Sequence, residues 1–144
     1  MRVLVQRCDR ASVSVDNKIV GKIDKGMMIL VGLTHTDTSK NIDYMIDKIL
    51  NLRIYDDDNG IMNRSILDTA GSILSVSQFT LYADAKKGRR PSYIEALNGE
   101  KAILLYNEFN EKLKQHIHVE TGIFGAEMKV ELVNDGPITI MLEK

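Results

Sequence analysis

Two short stretches of this sequence carry polar groups that folding alone does not demand. In Ser77-Gln78-Phe79-Thr80-Leu81-Tyr82-Ala83-Asp84 an apolar run, Ile73 to Val76, turns polar. If the strand stays regular, Gln78 and Thr80 point to one face and Ser77 and Phe79 to the other. A strand end offering a hydroxyl, an amide and free backbone N–H groups can hold a carbonyl and the oxyanion that develops from it. The plainer alternative is an edge strand whose polar residues meet water. The second stretch is Asn134-Asp135-Gly136-Pro137-Ile138-Thr139, a Gly-Pro step between two strands, which taken alone reads as a tight hairpin turn. Directly after the first stretch comes Lys86-Lys87-Gly88-Arg89-Arg90, four cations that form either a solvated loop or a contact for phosphates.

Other chemistries fail on their spacing. Gly21 and Gly26 stand as in a phosphate-binding P-loop, but Met27 occupies the lysine position. Asp57, Asn59 and Gly60 suggest a calcium loop, yet Tyr55 and Ile66 fill its first and last ligand positions, so this is a turn. Asn63-Arg64-Ser65 is a glycosylation triplet without a secretory route. His35, His116 and His118 form no HExxH pattern. His116 and His118 can share a strand face, but no carboxylate or thiol stands at metal-site spacing beside them, and a solvated strand edge is expected. A Ser-His-Asp triad assembles in space rather than in sequence, but no serine sits in a G-x-S-x-G elbow. Cys8 reads as a packing residue. No metal and no cofactor is expected.

The elements that must position these stretches follow from periodicity. Val3 and Val5 alternate with Leu4 and Gln6, and Val13 and Val15 with Ser12 and Ser14, the period of half-buried strands. Asp16-Asn17 and Lys25-Gly26 are turn-forming pairs. Met27 to Leu33 is apolar on both faces and predicts a central strand covered on both sides. Asp37 or Thr38 can cap a helix whose apolar stripe is Ile42, Met45, Ile46, Ile49 and Leu50. A second helix starts near Asn98 and buries Ala102, Leu105, Tyr106, Phe109 and Leu113. Between the helices a short strand at Leu52 to Tyr55, a polar turn at Asp56 to Gly60 and a strand from Ser72 to about Leu81 are expected. After the second helix come strands near Ile117 to Glu120, Met128 to Val133 and Ile138 to Leu142. Many strands and two long helices predict a mixed α/β fold of the α+β kind: three layers, β/β/α, with largely antiparallel sheets forming a sandwich or open barrel.

With 144 residues a single domain over 1–144 is expected. Apolar residues at 44% and charged residues at 27% exclude a disordered chain. Met1 to Arg10 lacks the apolar core of a secretion signal, no apolar run reaches bilayer length, and one cysteine makes no internal disulfide. These features predict a cytoplasmic protein without a membrane partner. The net charge of −1 recruits no polyanion globally, so an RNA substrate needs a local patch and no DNA partner is expected.

Taken together, the two polar stretches resemble the two signature motifs of the D-aminoacyl-tRNA deacylase family, SQxTL at Ser77 to Leu81 and NxGPxT at Asn134 to Thr139. Val5-Gln6-Arg7 with Arg10-Ala11-Ser12-Val13, Gly60-Ile61-Met62-Asn63, Arg90-Pro91-Ser92 and Thr121-Gly122-Ile123-Phe124-Gly125-Ala126 extend the likeness over essentially the whole chain. Ile138 replaces the commoner valine after the proline. A sister family that hydrolyses L-alanyl-tRNA has a proline where Ser77 stands, which places this chain with the D-specific branch.

The resemblance implies hydrolysis of the ester joining a D-amino acid to the terminal ribose of tRNA, in a homodimer. Ser77, Gln78, Phe79 and Thr80 of one subunit form the catalytic segment. Gly136 and Pro137 of the partner, joined by a cis peptide, form a chirality gate, and Arg7 braces that loop with its planar fork. The ester is already activated, so orientation, a water and an oxyanion hole suffice. Thr80 is then a positioning residue rather than a nucleophile, with the substrate's 2′-hydroxyl assisting. Phe79 either stacks on the terminal adenine or packs in the core. Lys86, Lys87, Arg89 and Arg90 are the tRNA-binding cations. A gate that rejects L side chains by steric clash admits glycyl-tRNA as well. The rival readings are an L-aminoacyl-tRNA editing hydrolase on the same fold and a non-catalytic dimeric tRNA-binding module.

Overall fold

The computed structural model describes residues 1–144. In chain order its elements are β1 (Arg2–Val15), β2 (Lys18–Ile23), β3 (Gly26–Gly32), α1 (Ser39–Leu50), β4 (Tyr55–Asp56), β5 (Met62–Arg64), β6 (Ser72–Ser77), α2 (Gly99–Leu113), β7 (Val119–Thr121) and β8 (Lys129–Glu143). Short 3-10 turns cover Leu67–Thr69 and Phe79–Tyr82.

The sheet is organised around β1, which is long enough to serve two neighbours on one side. Arg2 to Cys8 pair antiparallel with β3, Ala11 to Val15 pair antiparallel with β2, and β8 runs antiparallel along both halves. Asp16 and Asn17, both at positive φ, make the two-residue turn into β2. Beyond β3 the sheet continues in parallel with β6 and then β7. It curls until β2 lies against β7: a Cβ on Gly21 would come within 2.7 Å of the Thr121 carbonyl, so only glycine fits.

Each face of this sheet has its own core. Val3, Val5, Met27, Ile29, Val31 and Ile73 meet the α1 and α2 stripes, with Phe109 and Leu113 fully buried between them. Met28, Leu74 and Val76 alternate to the opposite face and meet Cys8, Ala11, Val13 and Ile23 inside the curl. The change of face along β1 falls at the register breaks on either side of Cys8, since a bulge shifts the period of two. The mixed α/β architecture is as expected, but the strands form one bent sheet plus the small β4–β5 ribbon, with a parallel portion at β3, β6 and β7.

α1 begins at Thr38, whose backbone N–H donates to the Asn41 side chain; Asp37 instead accepts from the Met1 ammonium group. α2 begins at Asn98, whose side chain accepts from the Lys101 N–H. The α1 stripe is as the spacing predicts; on α2 Ala102, Tyr106, Phe109 and Leu113 are buried as expected, Leu105 is only half-buried, and Asn110 is buried in addition.

Several expected elements differ. The strand from Ser72 stops at Ser77 instead of reaching Leu81, and Phe79–Tyr82 turns back over Gly32, where a Cβ would sit 3.0 Å from Leu81 and 3.1 Å from the Gln78 carbonyl. The strict alternation of Gln78 and Thr80 against Ser77 and Phe79 therefore does not hold. The strand at Leu52 to Tyr55 shrinks to Tyr55–Asp56. The last two strands are one, and the Gly-Pro step is no hairpin: Gln6 pairs with Thr139 and Cys8 with Asn134, so Asp135 to Ile138 bulge out opposite Arg7 alone. Both halves of β8 continue in one direction because β1 accompanies them throughout. Neither histidine lies on a strand: His116 is in the turn after α2, and His118, just before β7, brings Nε2 within 3.1 Å of Glu120 Oε1.

Candidate active site

The end of β6, the turn after it, the segment before α2 and the loop around Gly125 enclose a cleft of about 600 Å³. Parallel pairing with β3 carries β6 to the cleft, and the Gln78 N–H closes this ladder on the Val31 carbonyl at 2.8 Å. Arg2 then pins the turn by donating to the Leu81 carbonyl at 3.0 Å while its guanidinium lies 4.5 Å from the centre of the Tyr82 ring. The chain direction reverses there, leaving the first N–H groups of the 3-10 turn without partners inside the turn.

Ser77, Gln78 and Phe79 line this cleft. Thr80 does not; its hydroxyl accepts a short hydrogen bond from the Gln78 side chain, which fixes both residues at the rim. Phe79 is 55% exposed and meets Tyr93 edge-on at 5.1 Å, so it is a rim residue and not core. Tyr93, Asn98, Tyr106 and Phe124 also line the cleft and were not singled out as site residues from sequence. Tyr106 reads there only as part of the α2 stripe. Its hydroxyl donates to the Ser75 carbonyl at 2.9 Å, and burial raises its pKa. A tyrosine on a buried stripe was the available signal, because its hydroxyl needs a partner.

Thirteen of the eighteen lining residues are hydrophobic, and none is Asp, Glu, His, Lys or Arg, so the walls supply no general base of ordinary pKa. What the cleft offers is a mostly apolar volume whose polar side chains are Ser77, Gln78 and Asn98. Such an arrangement suits positioning of a polar, reactive group rather than attack by a side chain. Cys8 is remote from this chemistry: it is buried in the curl of the sheet, and burial raises its thiol to about 11.

Gly136 and Pro137 do not line the cleft of their own chain. They form the exposed crest of the β8 bulge, joined by a cis peptide, with Gly136 at φ +114°. Arg7 stands beneath. It is 8% exposed, donates to the Ile54 carbonyl at 2.7 Å, and brings Nε within 2.9 Å of Asp135 Oδ2. That N–H does not aim at the carboxylate, so the contact is an ion pair and not a directed hydrogen bond. The carbonyl held by the fork is Ile54's, and the bulge is reached through the Asp135 side chain.

Lys86, Lys87, Arg89 and Arg90 occupy an exposed loop closed by the bridge between Asp84 and Ser92, with Gly88 at φ +73°. None of the four has an acidic partner within ion-pair distance. No helix is long and apolar enough to cross a membrane.

The chain is similar to known proteins along its whole length. The chain is 54% identical to the D-aminoacyl-tRNA deacylase of Clostridium kluyveri over 144 residues, covering 99% of this chain and 97% of that protein. It is 56% identical to the enzyme of the same name from Bacillus cytotoxicus, covering 99% of each. Among solved structures, the c-Myc DNA Unwinding Element Binding Protein superposes with a TM-score of 0.95 at 40% identity, covering 100% of this chain and 99% of that one. A probable eukaryotic D-amino acid tRNA deacylase superposes with a TM-score of 0.84 over 98% and 97% of the two chains; at 18% identity this likeness speaks for the fold alone. The family model for D-Tyr-tRNA(Tyr) deacylase matches residues 4–143, and the chain belongs to that family.

Proposed function

We propose that this protein hydrolyses the ester between a D-amino acid and the terminal ribose of its tRNA, in a site that two copies of the chain build together. The single observation that carries this reading is the separation of the two motifs. Ser77 to Phe79 open onto a cleft that Gly136 and Pro137 of the same chain do not line, while Gly136 and Pro137 project outward on a bulge held from below by Arg7. A second copy related by a two-fold axis would bring each bulge to the other's cleft.

The ester carbonyl would lie at the Ser77–Phe79 end, where backbone N–H groups of the turn meet the developing oxyanion. A water attacks, and the alcohol leaves as the ribose hydroxyl; the vicinal 2′-hydroxyl assists proton movement, since the cleft walls hold no acid or base to do so. Thr80 orients Gln78 through their hydrogen bond. Phe79 and Tyr93 at the rim suit stacking of the terminal adenine, and the unpaired cations of the 86–90 loop suit the acceptor-stem phosphates.

Carbonyls of Gly136 and Pro137 would hold the substrate's α-ammonium group. A D side chain then points outward, whereas an L residue held by the same anchors drives its Cβ into the bulge. Rejection is steric, so glycyl-tRNA, which has no Cβ, is hydrolysed too. Initial rates on D- and L-tyrosyl-tRNA with one enzyme preparation test the reading: rapid loss of the D ester and persistence of the L ester are expected. Comparable turnover of both would favour general L-editing, and binding without turnover a non-catalytic module.

A further inference from the structure

The Gly136-Pro137 bulge has a second fastening at its base, made without Arg7. β8 leaves the β1 register after Asn134 and rejoins it at Thr139, and these two residues are linked directly: Asn134 Nδ2 donates to Thr139 Oγ1 at 2.9 Å. Gln6, the β1 partner of Thr139, donates to the same oxygen at 3.3 Å. One hydroxyl therefore accepts from both strands at the point where the bulge closes. Four residues standing opposite a single one have no ladder bonds of their own to set their position, so what fixes the two ends fixes the crest.

We infer that Asn134, Thr139 and Gln6 form a side-chain clasp that positions Gly136 and Pro137 for discrimination between D and L substrates. They are positioning residues, not catalytic ones; this role rests on the cross-subunit gate proposed above. The clasp and the Arg7–Asp135 ion pair act on different parts of the bulge. Arg7 holds the residue that begins it, whereas the clasp sets the width of its base.

Thr139→Val keeps the shape of the side chain and removes the acceptor oxygen, while Thr139→Ser retains that oxygen. Thr139→Val should lower the ratio of initial rates on D-alanyl- and L-alanyl-tRNA about fivefold, within the scale of losing two exposed neutral hydrogen bonds. Thr139→Ser should restore it. Asn134→Ala, which leaves the Gln6 bond in place, should lower the ratio no more than Thr139→Val does, and the double variant Asn134→Ala with Thr139→Val should be no worse than Thr139→Val alone, because removing the acceptor oxygen already breaks the Asn134 link. Additive losses, or a ratio within twofold of the parent in Thr139→Val, would overturn the clasp. The backbone order parameter of Gly136, measured by ¹⁵N relaxation, gives a readout independent of turnover. It should fall from the rigid range, about 0.85, toward about 0.6 in Thr139→Val and not in Thr139→Ser. An unchanged value overturns the clasp even if the parent protein proved unable to tell D from L, an outcome that would instead sink the gate.

Discussion

Arg7 Nε stands 2.9 Å from Asp135 Oδ2, so the one buried arginine of the chain grips the residue immediately before Gly136-Pro137. The same guanidinium donates to the Ile54 carbonyl, tying the bulge to the segment that enters β4. Arg7→Ala should lower the unfolding free energy by about 1–3 kcal/mol, less than for a fully buried pair because Asp135 and Asp56 are half exposed. It should also weaken chiral discrimination. Arg7→Lys should recover only part of either effect, since an ammonium group does not reproduce the fork. Urea denaturation and D/L rate ratios on the same samples check both; full recovery by lysine would show that charge alone is needed.

Phe79 separates substrate binding from folding. At 55% exposed and touching Tyr93 by its edge, it adds little to the core, so Phe79→Ala should cost less than about 1 kcal/mol of stability. Loss of a stacked base should raise KM about 5- to 100-fold. An unchanged KM for charged tRNA would remove adenine from the rim.

The hydrogen bond that the Thr80 hydroxyl accepts from Gln78 suits the proposed role of orienting Gln78 rather than attacking the ester. Thr80→Ala should keep activity within about tenfold of the parent, whereas loss beyond about a thousandfold, the scale of an oxyanion donor, would count against this assignment. Charged tRNA ending in 2′-deoxyadenosine is the companion substrate. Undiminished hydrolysis of its 3′-ester would exclude help from the 2′-hydroxyl.

For the basic loop, Lys86→Ala with Lys87→Ala should reduce the steepness of log affinity against log salt by about 1 to 2, as two phosphate contacts are lost. The weakening should be the same for all tRNA sequences. An unaltered slope would make this loop merely solvated.

How much of this was legible beforehand differs by element for physical reasons. α1 and α2 declare themselves because Ile42, Met45, Ile46 and Ile49, and Ala102, Tyr106, Phe109 and Leu113, repeat with the helical period. β3 declares itself because both its faces are covered. The end of β6 at Ser77 is not legible, since the cause is distant: the turn packs onto Gly32 and is held by Arg2. Gly136-Pro137 misleads locally for a similar reason. A Gly-Pro step has the chemistry of a hairpin turn, and only pairing with β1 on both sides makes it a bulge. The first motif is legible because its polar residues interrupt an apolar run. Tyr93 and Phe124 are not legible as site residues because loops alone bring them to the cleft, and Asn98 reads in sequence only as the cap of α2.

A site shared between two copies is tested most directly by complementation. Ala126→Trp would fill the cleft, while Gly136→Val would displace the bulge, because a Cβ at φ +114° meets the Ile138 N at 2.9 Å. Each variant alone should be inactive on D-tyrosyl-tRNA. After the two are unfolded together and refolded in equal amounts, half the dimers are mixed, and each mixed dimer has one intact cleft facing one intact bulge. Activity should return to about one quarter of the parent value. If cleft and bulge belonged to the same chain's site, no mixture would restore turnover, and that result would contradict the account.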